Sequence, residues 1–268
     1  MITSGQNAQV RFIKSLKKRK FREENACFFT EGLRSVCEGF LSGADVRLLV
    51  VSESFTRSAF YAELRKVTDS LENFSAESVL LPVSDGVYRE ITDTETPQGV
   101  GAVFAMKRAS RVRGDSIILL ENLQDPGNMG TIIRTADAAA FDGVICTKGC
   151  VDIYNPKVLR STVGSVFHIP IFQPPRGSDM DTVQIAEMLR KDGYTLYAAH
   201  PSGKNSCFEE PFEGKSVIVI GNEANGISRE MLEHCDKLLT IPMPGKAESL
   251  NASVAAALMI YEKRRRSL

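Results

Sequence analysis

The sequence predicts an α/β fold of two units, a small one in front and a larger one behind it that carries a mostly parallel sheet. Three observations predict it. Short apolar runs alternate with stretches of helical period along the whole chain. In the second half these runs are apolar throughout, as in parallel strands covered on both faces. A polar, basic stretch at 107–114 separates the halves and reads as a linker. The expected domains are 1–108 and 115–268.

Each element has its own signal. Residues 7–20 read as a helix, because Val10, Ile13 and Leu16 recur every three residues among lysines. A second helix over 31–41 stops near Gly43. A strand follows at 46–51, a helix at 55–67, and strands at 79–83 and 100–106. The larger unit opens with a strand at 117–120, then a helix over 129–140 with Asn128 as its expected N-cap. Further strands are expected at 143–146, 169–172, 196–199, 217–220 and 238–241. Asn155-Pro156 opens another helix, proline being well placed in a first turn. Ser249 is the expected cap of the last helix, which carries Leu250, Val254, Leu258 and Tyr261 on one face. That face either packs on its own sheet or meets a second copy of the chain.

Composition excludes several classes. With 268 residues, 43% hydrophobic and 25% charged, the chain is an ordinary globular protein rather than a disordered or collagen-like one. Its apolar runs, such as 144–146 and 255–260, fall far short of the ~20 residues of a membrane span. No charged-then-apolar leader opens it. Six scattered cysteines without a CxxC pair suit a reducing cytoplasm. Net charge is zero, yet residues 1–30 carry seven basic side chains against two acids. Such a cluster can neutralise phosphates or can simply be a solvated helix face.

Ligands of parallel sheets sit at the carboxyl ends of strands. The loops after Leu120, Ile220 and Ile241 are therefore where chemistry is expected. The first holds Asn122, Gly127 and Gly130 and enters a helix bearing Arg134. Helix N-termini favour anions, but these glycines do not form a GxGxxG fingerprint. The second reads Gly221-Asn222-Glu223-Ala224-Asn225-Gly226. Glycine at a strand end lets a flat ligand approach the backbone, and Glu223 falls at the sheet mouth. The third, from Pro242 to Asn251, is stiffened by two prolines. Taken singly, each is also an ordinary turn. Asn251 alone resists that reading, because asparagine is a mediocre helix former in a first turn. His168, His200 and His234 are scattered, and Cys146 and Cys150 supply too few ligands for zinc, so no metal is expected.

Together, 122–134, 221–228 and 241–251 resemble the three motifs of the SpoU/TrmH family of RNA ribose 2′-O-methyltransferases, in the SPOUT superfamily. Order and spacing match over 115–268. Residues 1–107 resemble the substrate-binding domain that many members carry in front, most clearly at Thr94-Glu95-Thr96-Pro97-Gln98-Gly99-Val100. The resemblance implies a C-terminal SPOUT domain with a deep trefoil knot, preceded by a small α/β RNA-binding domain. General topology rules alone would count against a knot.

The resemblance further implies S-adenosyl-L-methionine as methyl donor, held by Ala199, Gly221, Ile241, Met243 and Leu250. The family's catalytic residues fall on Asn122, Arg134, Glu223, Ser249 and Asn251. The family favours its arginine as proton acceptor. A guanidinium has no acceptor while charged, which leaves phosphate binding as the alternative role. The implied enzyme is a homodimer with a shared pocket and no membrane association. Its basic N-terminal helix, with Arg11, Lys14, Lys17, Lys18 and Arg19, would grip RNA. Phe12 and Phe21 would stack on bases or fill the core. Ribosomal RNA is the preferred substrate and transfer RNA the alternative. The other reading is a non-catalytic RNA-binding or ribosome-assembly protein that has kept the fold.

Overall fold

The computed structural model describes residues 1–72, 74–175 and 177–266. The chain divides into two compact units: Met1–Lys107 with Tyr154–His168, and Arg108–Ile153 with Ile169–Leu268.

The first unit begins with α1 (Ala8–Ser15) and α2 (Arg19–Asn25) where the sequence predicts one helix. Arg22 explains the break. Its buried guanidinium donates to the carbonyls of Leu16 at 2.7 Å and Lys17 at 2.8 Å, satisfying the last turn of α1. The expected helix over 31–41 starts two residues late, after a strand that the sequence reading does not contain. Strand β1 (Cys27–Glu31) ends at Gly32, whose φ of 94° turns the chain into α3 (Leu33–Leu41). Next come β2 (Val46–Ser52), α4 (Glu53–Thr56), α5 (Ala59–Asp69), β3 (Leu80–Val83), α6 (Asp85–Ile91) and β4 (Val100–Ala105). The sheet order is β1-β4-β2-β3, with only the β2–β3 pair parallel. Val10, Ile13, Leu16, Val50, Val83 and Tyr88 share one buried cluster, against which Phe12 packs.

Tyr154–His168, within the range assigned by sequence to the second domain, belongs to this first unit. It carries α8 (Pro156–Thr162), capped by Asn155 as expected. Aromatic packing holds it: the Tyr154 ring centroid lies 4.6 Å from that of Phe28, and Phe167 lies 5.0 Å from Phe104. Arg160 also pairs with Glu31 at 3.1 Å.

The second unit holds β5 (Ser116–Leu120), α7 (Pro126–Ala138), β6 (Gly143–Cys146), β7 (Ile171–Phe172) and α9 (Thr182–Lys191). It continues with β8 (Thr195–Ala199), β9 (Asn205–Ser206), β10 (Ser216–Ile220), α10 (Arg229–His234), β11 (Lys237–Thr240) and α11 (Ala252–Arg265). Its seven strands run in the order β7-β6-β5-β10-β8-β11-β9, and every pairing is parallel. Ile117, Leu119, Leu196, Val217 and Val219 lie in one buried cluster, as continuous apolar strands require. From β5 the chain builds outward to β6 and β7, while β10 flanks β5 on the other side. That is a topological switch point, with Leu120 in register with Ile220 at its mouth.

Two helix starts differ from the sequence reading. Helix α7 is capped by Asp125, not Asn128, and Pro126 forms its first turn. Helix α11 is capped by Asn251, not Ser249: the Asn251 side chain accepts from the N–H groups of Ser253 and Val254. On α11 the buried positions are Ala256, Met259, Ile260, Glu262 and Lys263. Val254 is 47% and Tyr261 52% exposed, so the expected face does not pack on its own sheet. Among the described residues, no helix is long and apolar enough to cross a membrane.

Candidate active site

All of the site's parts lie in the second unit, at the carboxyl ends of β5, β8, β10 and β11. A cavity of about 350 Å³ opens beyond β8, β10 and β11. Ala199, Gly221, Ile241, Met243 and Leu250 all line it, together with Glu223 and Ser249. Ile220, Ile227 and Ala255 add apolar surface, and His200 and Asn225 add polar groups. Gly221 is needed for a reason the sequence did not reveal. A Cβ on it would lie 2.2 Å from the Gly226 carbonyl carbon, across the small bridge between Asn222 and Gly226. The glycine thus serves the turn's own closure.

Glu223 is held at the rim by four donors. The backbone N–H groups of Asp125 and Gln124 reach it at 3.1 and 3.4 Å, and Asn128 Nδ2 and Asn222 Nδ2 at 3.1 and 3.5 Å. Two of these donors belong to the entry of α7, where the helix dipole also favours an anion. Burial pushes the Glu223 carboxyl up, but the bonds from Asn128 and the backbone outweigh it and leave it below the ordinary glutamate range.

Asn128 joins the loops. While its Nδ2 donates to Glu223, its Oδ1 accepts from Asn251 Nδ2 at 2.9 Å. The other end of the Asn251 side chain is also engaged, since its Oδ1 caps α11. One chain of bonds therefore runs through Glu223, Asn128 and Asn251, with Asn128 lying 95 residues from Glu223 and 123 from Asn251 in sequence. Sequence reading took Asn128 for a cap and missed this role. The available signal was a better cap, Asp125, directly before Pro126.

Asn122 has a φ of 51°, a left-handed position that asparagine tolerates. Its carbonyl accepts from Asn222 Nδ2 at 2.8 Å and its N–H donates to Thr147 Oγ1 at 3.0 Å. It supports the loop beside the cavity without lining it. Arg134 makes none of these bonds. It is exposed on α7, about 9 Å along the helix from Asn128 and roughly 120° around it. Among the described residues it has no side-chain partner within the chain.

In the first unit, the basic helices are largely occupied. Lys14 pairs with Glu90 at 2.9 Å, Lys17 with Asp93 at 2.7 Å and Arg19 with Glu23 at 2.9 Å. Arg11 and Lys18 stand exposed. Among the described residues, no three His, Cys, Asp or Glu side chains stand together as a metal site.

Residues 115–261 match the model of the SpoU rRNA Methylase family, and residues 7–102 match that of the MRM3-like substrate binding domain. The chain belongs to the SpoU rRNA methylase family. It is 33% identical over 263 residues, 98% of each chain, to the Bacillus subtilis (strain 168) 23S rRNA (guanosine(2553)-2'-O)-methyltransferase RlmP. It is 31% identical, over 92% of this chain and 85% of the other, to the 23S rRNA (uridine(2479)-2'-O)-methyltransferase of Streptomyces viridochromogenes. The AdoMet-bound rRNA methyltransferase from Sinorhizobium meliloti has a similar structure, with a TM-score of 0.83 and 30% identity over 100% of this chain and 98% of that one. The α/β fold with a parallel sheet expected from the resemblance is the one SpoU-type structures share. Within this SpoU chain, the MRM3-like match falls wholly inside the first compact unit.

Proposed function

We propose that this protein transfers a methyl group from S-adenosyl-L-methionine to a ribose 2′-hydroxyl of ribosomal RNA. The observation that carries the reading is the cavity beyond the ends of β8, β10 and β11, whose Glu223 is bonded through Asn128 to Asn251. Its size and mixed lining suit a nucleoside-sized ligand. Ala199, Gly221, Ile241, Met243 and Leu250 would hold the donor, backbone groups meeting its polar edges and the apolar side chains its faces. When bound, that donor supplies an electrophilic methyl group on a sulfonium, which leaves as a neutral thioether. The protein's own task is alignment and removal of one proton. Glu223 is the carboxylate on the cavity wall: it accepts a hydrogen bond from the attacking hydroxyl and, as the O–C bond forms and the C–S bond breaks, passes the released proton to solvent. Asn128 and Asn251 hold its orientation, and Ser249 offers a further hydroxyl to the pocket. Arg134 keeps its charge and binds the phosphate beside the target ribose.

Residues 1–108 would bind the RNA substrate, with Arg11 and Lys18 as its exposed cations, and 115–268 would carry the transfer within a knotted chain. Two copies would meet through the α11 face of Val254, Leu258 and Tyr261. Helix α11 packs on α7, so the same approach brings a partner to the exposed Arg134. All six cysteines are free thiols, which suits the cytoplasm. Calorimetry with S-adenosyl-L-methionine, followed by mapping of 2′-O-methyl groups in ribosomal RNA from cells with and without the gene, tests the reading. Absence of donor binding, or identical methylation maps, would refute it.

A further inference from the structure

The turn after β6 is built into the site. In register, Cys146 stands beside Leu120, so whatever follows Cys146 stands beside Glu121 and Asn122. The two loops are bonded together along their length. Thr147 N–H donates to the Leu120 carbonyl at 2.9 Å, and Thr147 Oγ1 accepts from Asn122 N–H at 3.0 Å. Cys150 Sγ accepts from Leu123 N–H at 3.3 Å and donates to the Leu120 carbonyl at 3.1 Å. Val151 N–H then donates to the Leu123 carbonyl at 2.8 Å. Gly149 closes the contact: a Cβ there would lie 2.2 Å from Asn122 Oδ1. The next residues of the partner loop, Gln124 and Asp125, hold Glu223 by their N–H groups.

Lys148 stands at the tip of this turn. It is exposed, and among the described residues it has no acidic partner, unlike Lys14, Lys17, Arg19 and Arg111. The cavity, to which this turn is joined through the 121–125 loop and Glu223, carries the Glu223 carboxylate and neither lysine nor arginine on its wall. A polyanion brought to that wall meets a negative charge unless a cation stands at the entrance. A side chain on a rigid mount holds a phosphate in place, whereas one on a loose loop only attracts it.

We propose that Lys148 is a positioning residue that grips a backbone phosphate of the RNA next to the methylated nucleotide. The inference rests on the proposed RNA methyl transfer. The turn at 147–151 fixes its place relative to Glu223, so the contact sets where the strand lies and not only how tightly it binds.

The experiment uses the full-length protein and ribosomal RNA from cells lacking the gene. Methyl transfer by wild type, K148A and K148R is measured over a series of salt concentrations, with donor affinity measured in parallel by calorimetry. K148A is expected to lose about 5- to 20-fold in kcat/KM and to flatten the salt dependence by about one phosphate contact. Its donor affinity stays within about twofold of wild type, and K148R recovers most of the loss. An unchanged kcat/KM and salt slope in K148A overturns the proposal. So does a loss that K148R leaves unrepaired or that is matched by a fall in donor affinity, since either marks a structural defect of the turn. A wild-type protein that binds donor but methylates no ribosomal RNA refutes the underlying reading and takes this proposal with it.

Discussion

The side-chain amide of Asn128 donates to the Glu223 carboxylate at 3.1 Å, and this bond ties the entry of α7 to the loop after β10. It is the central link of a bond chain that ends at Asn251, the cap of α11. A bond to a charged acceptor contributes about 1.5–3 kcal/mol.

Asn128→Ala should therefore reduce turnover by about 10- to 100-fold, if the linkage positions Glu223 for the transfer step. Donor affinity should stay close to wild type, because Asn128 does not line the cavity. Asn128→Asp should be more damaging, since it sets a second carboxylate against Glu223. Single-turnover kinetics beside calorimetric donor binding checks both. Full activity in N128A would show that the bond chain is irrelevant to chemistry.

The Glu223 carboxyl sits below its ordinary range, burial being outweighed by its hydrogen bonds. Its folded value is thus depressed relative to the unfolded chain. The stabilisation it provides is complete above the ordinary glutamate value of about 4.3 and fades as pH falls through the folded value. Melting temperatures of wild type and E223Q, measured from pH 7 down to pH 3, should differ by a constant amount above about pH 5 and converge in more acidic solution. Between pH 6 and 9, Glu223 stays ionised, so it should add no inflection to the turnover profile there.

The strands of the second unit were legible because a parallel sheet buried on both faces leaves continuous apolar runs, as at 117–120 and 217–220. Strand β1 was not, because only Cys27, Phe28 and Phe29 form its apolar run and a single glycine separates it from α3. The break after α1 was illegible for another reason: it depends on Arg22 folding back onto two carbonyls, a contact no periodicity encodes. The docking of Tyr154–His168 among the aromatics of the first unit is equally invisible, since it rests on tertiary packing. At the site, the cavity-lining residues expected from the family motifs do stand in one cavity. Asn128 was passed over because one asparagine before a helical run reads as a cap, and only coordinates show that Asp125 already fills that position.

Glu121 offers a stability test separate from catalysis. Its buried carboxylate accepts from Ser228 N–H at 2.8 Å and from Ser228 Oγ at 2.7 Å, fixing the start of α10. Glu121→Ala removes both bonds and leaves the donors unpaired, at a cost of about 1–3 kcal/mol. The thermal transition should fall by roughly 3–10 °C. Glu121→Gln keeps an acceptor and should lose less. A transition within 1 °C of wild type in E121A, measured by circular dichroism, would contradict the assigned role.

Among the described residues Arg134 has no partner within its own chain, yet it lies on the helix that packs against α11, whose Val254 and Tyr261 are open to solvent. A symmetric dimer through that face would use one patch twice and bring two copies of Arg134 near two cavities. Val254→Asp combined with Tyr261→Asp should then give a folded monomer by sedimentation, with turnover reduced at least 100-fold and helix content retained. Arg134→Ala should keep donor affinity and lose turnover by a similar factor, because the ribose beside the phosphate that Arg134 binds is no longer aligned for transfer. The two effects are joined in a mixing experiment. If each site takes Arg134 from one subunit and Glu223 from the other, co-refolding equal amounts of R134A and E223Q should restore about a quarter of wild-type turnover, because half the dimers then carry one intact site. If both residues of a site come from the same subunit, each R134A–E223Q pair has one site lacking Arg134 and one lacking Glu223, and mixing restores nothing. The measured fraction thus decides whether the site is completed across the interface.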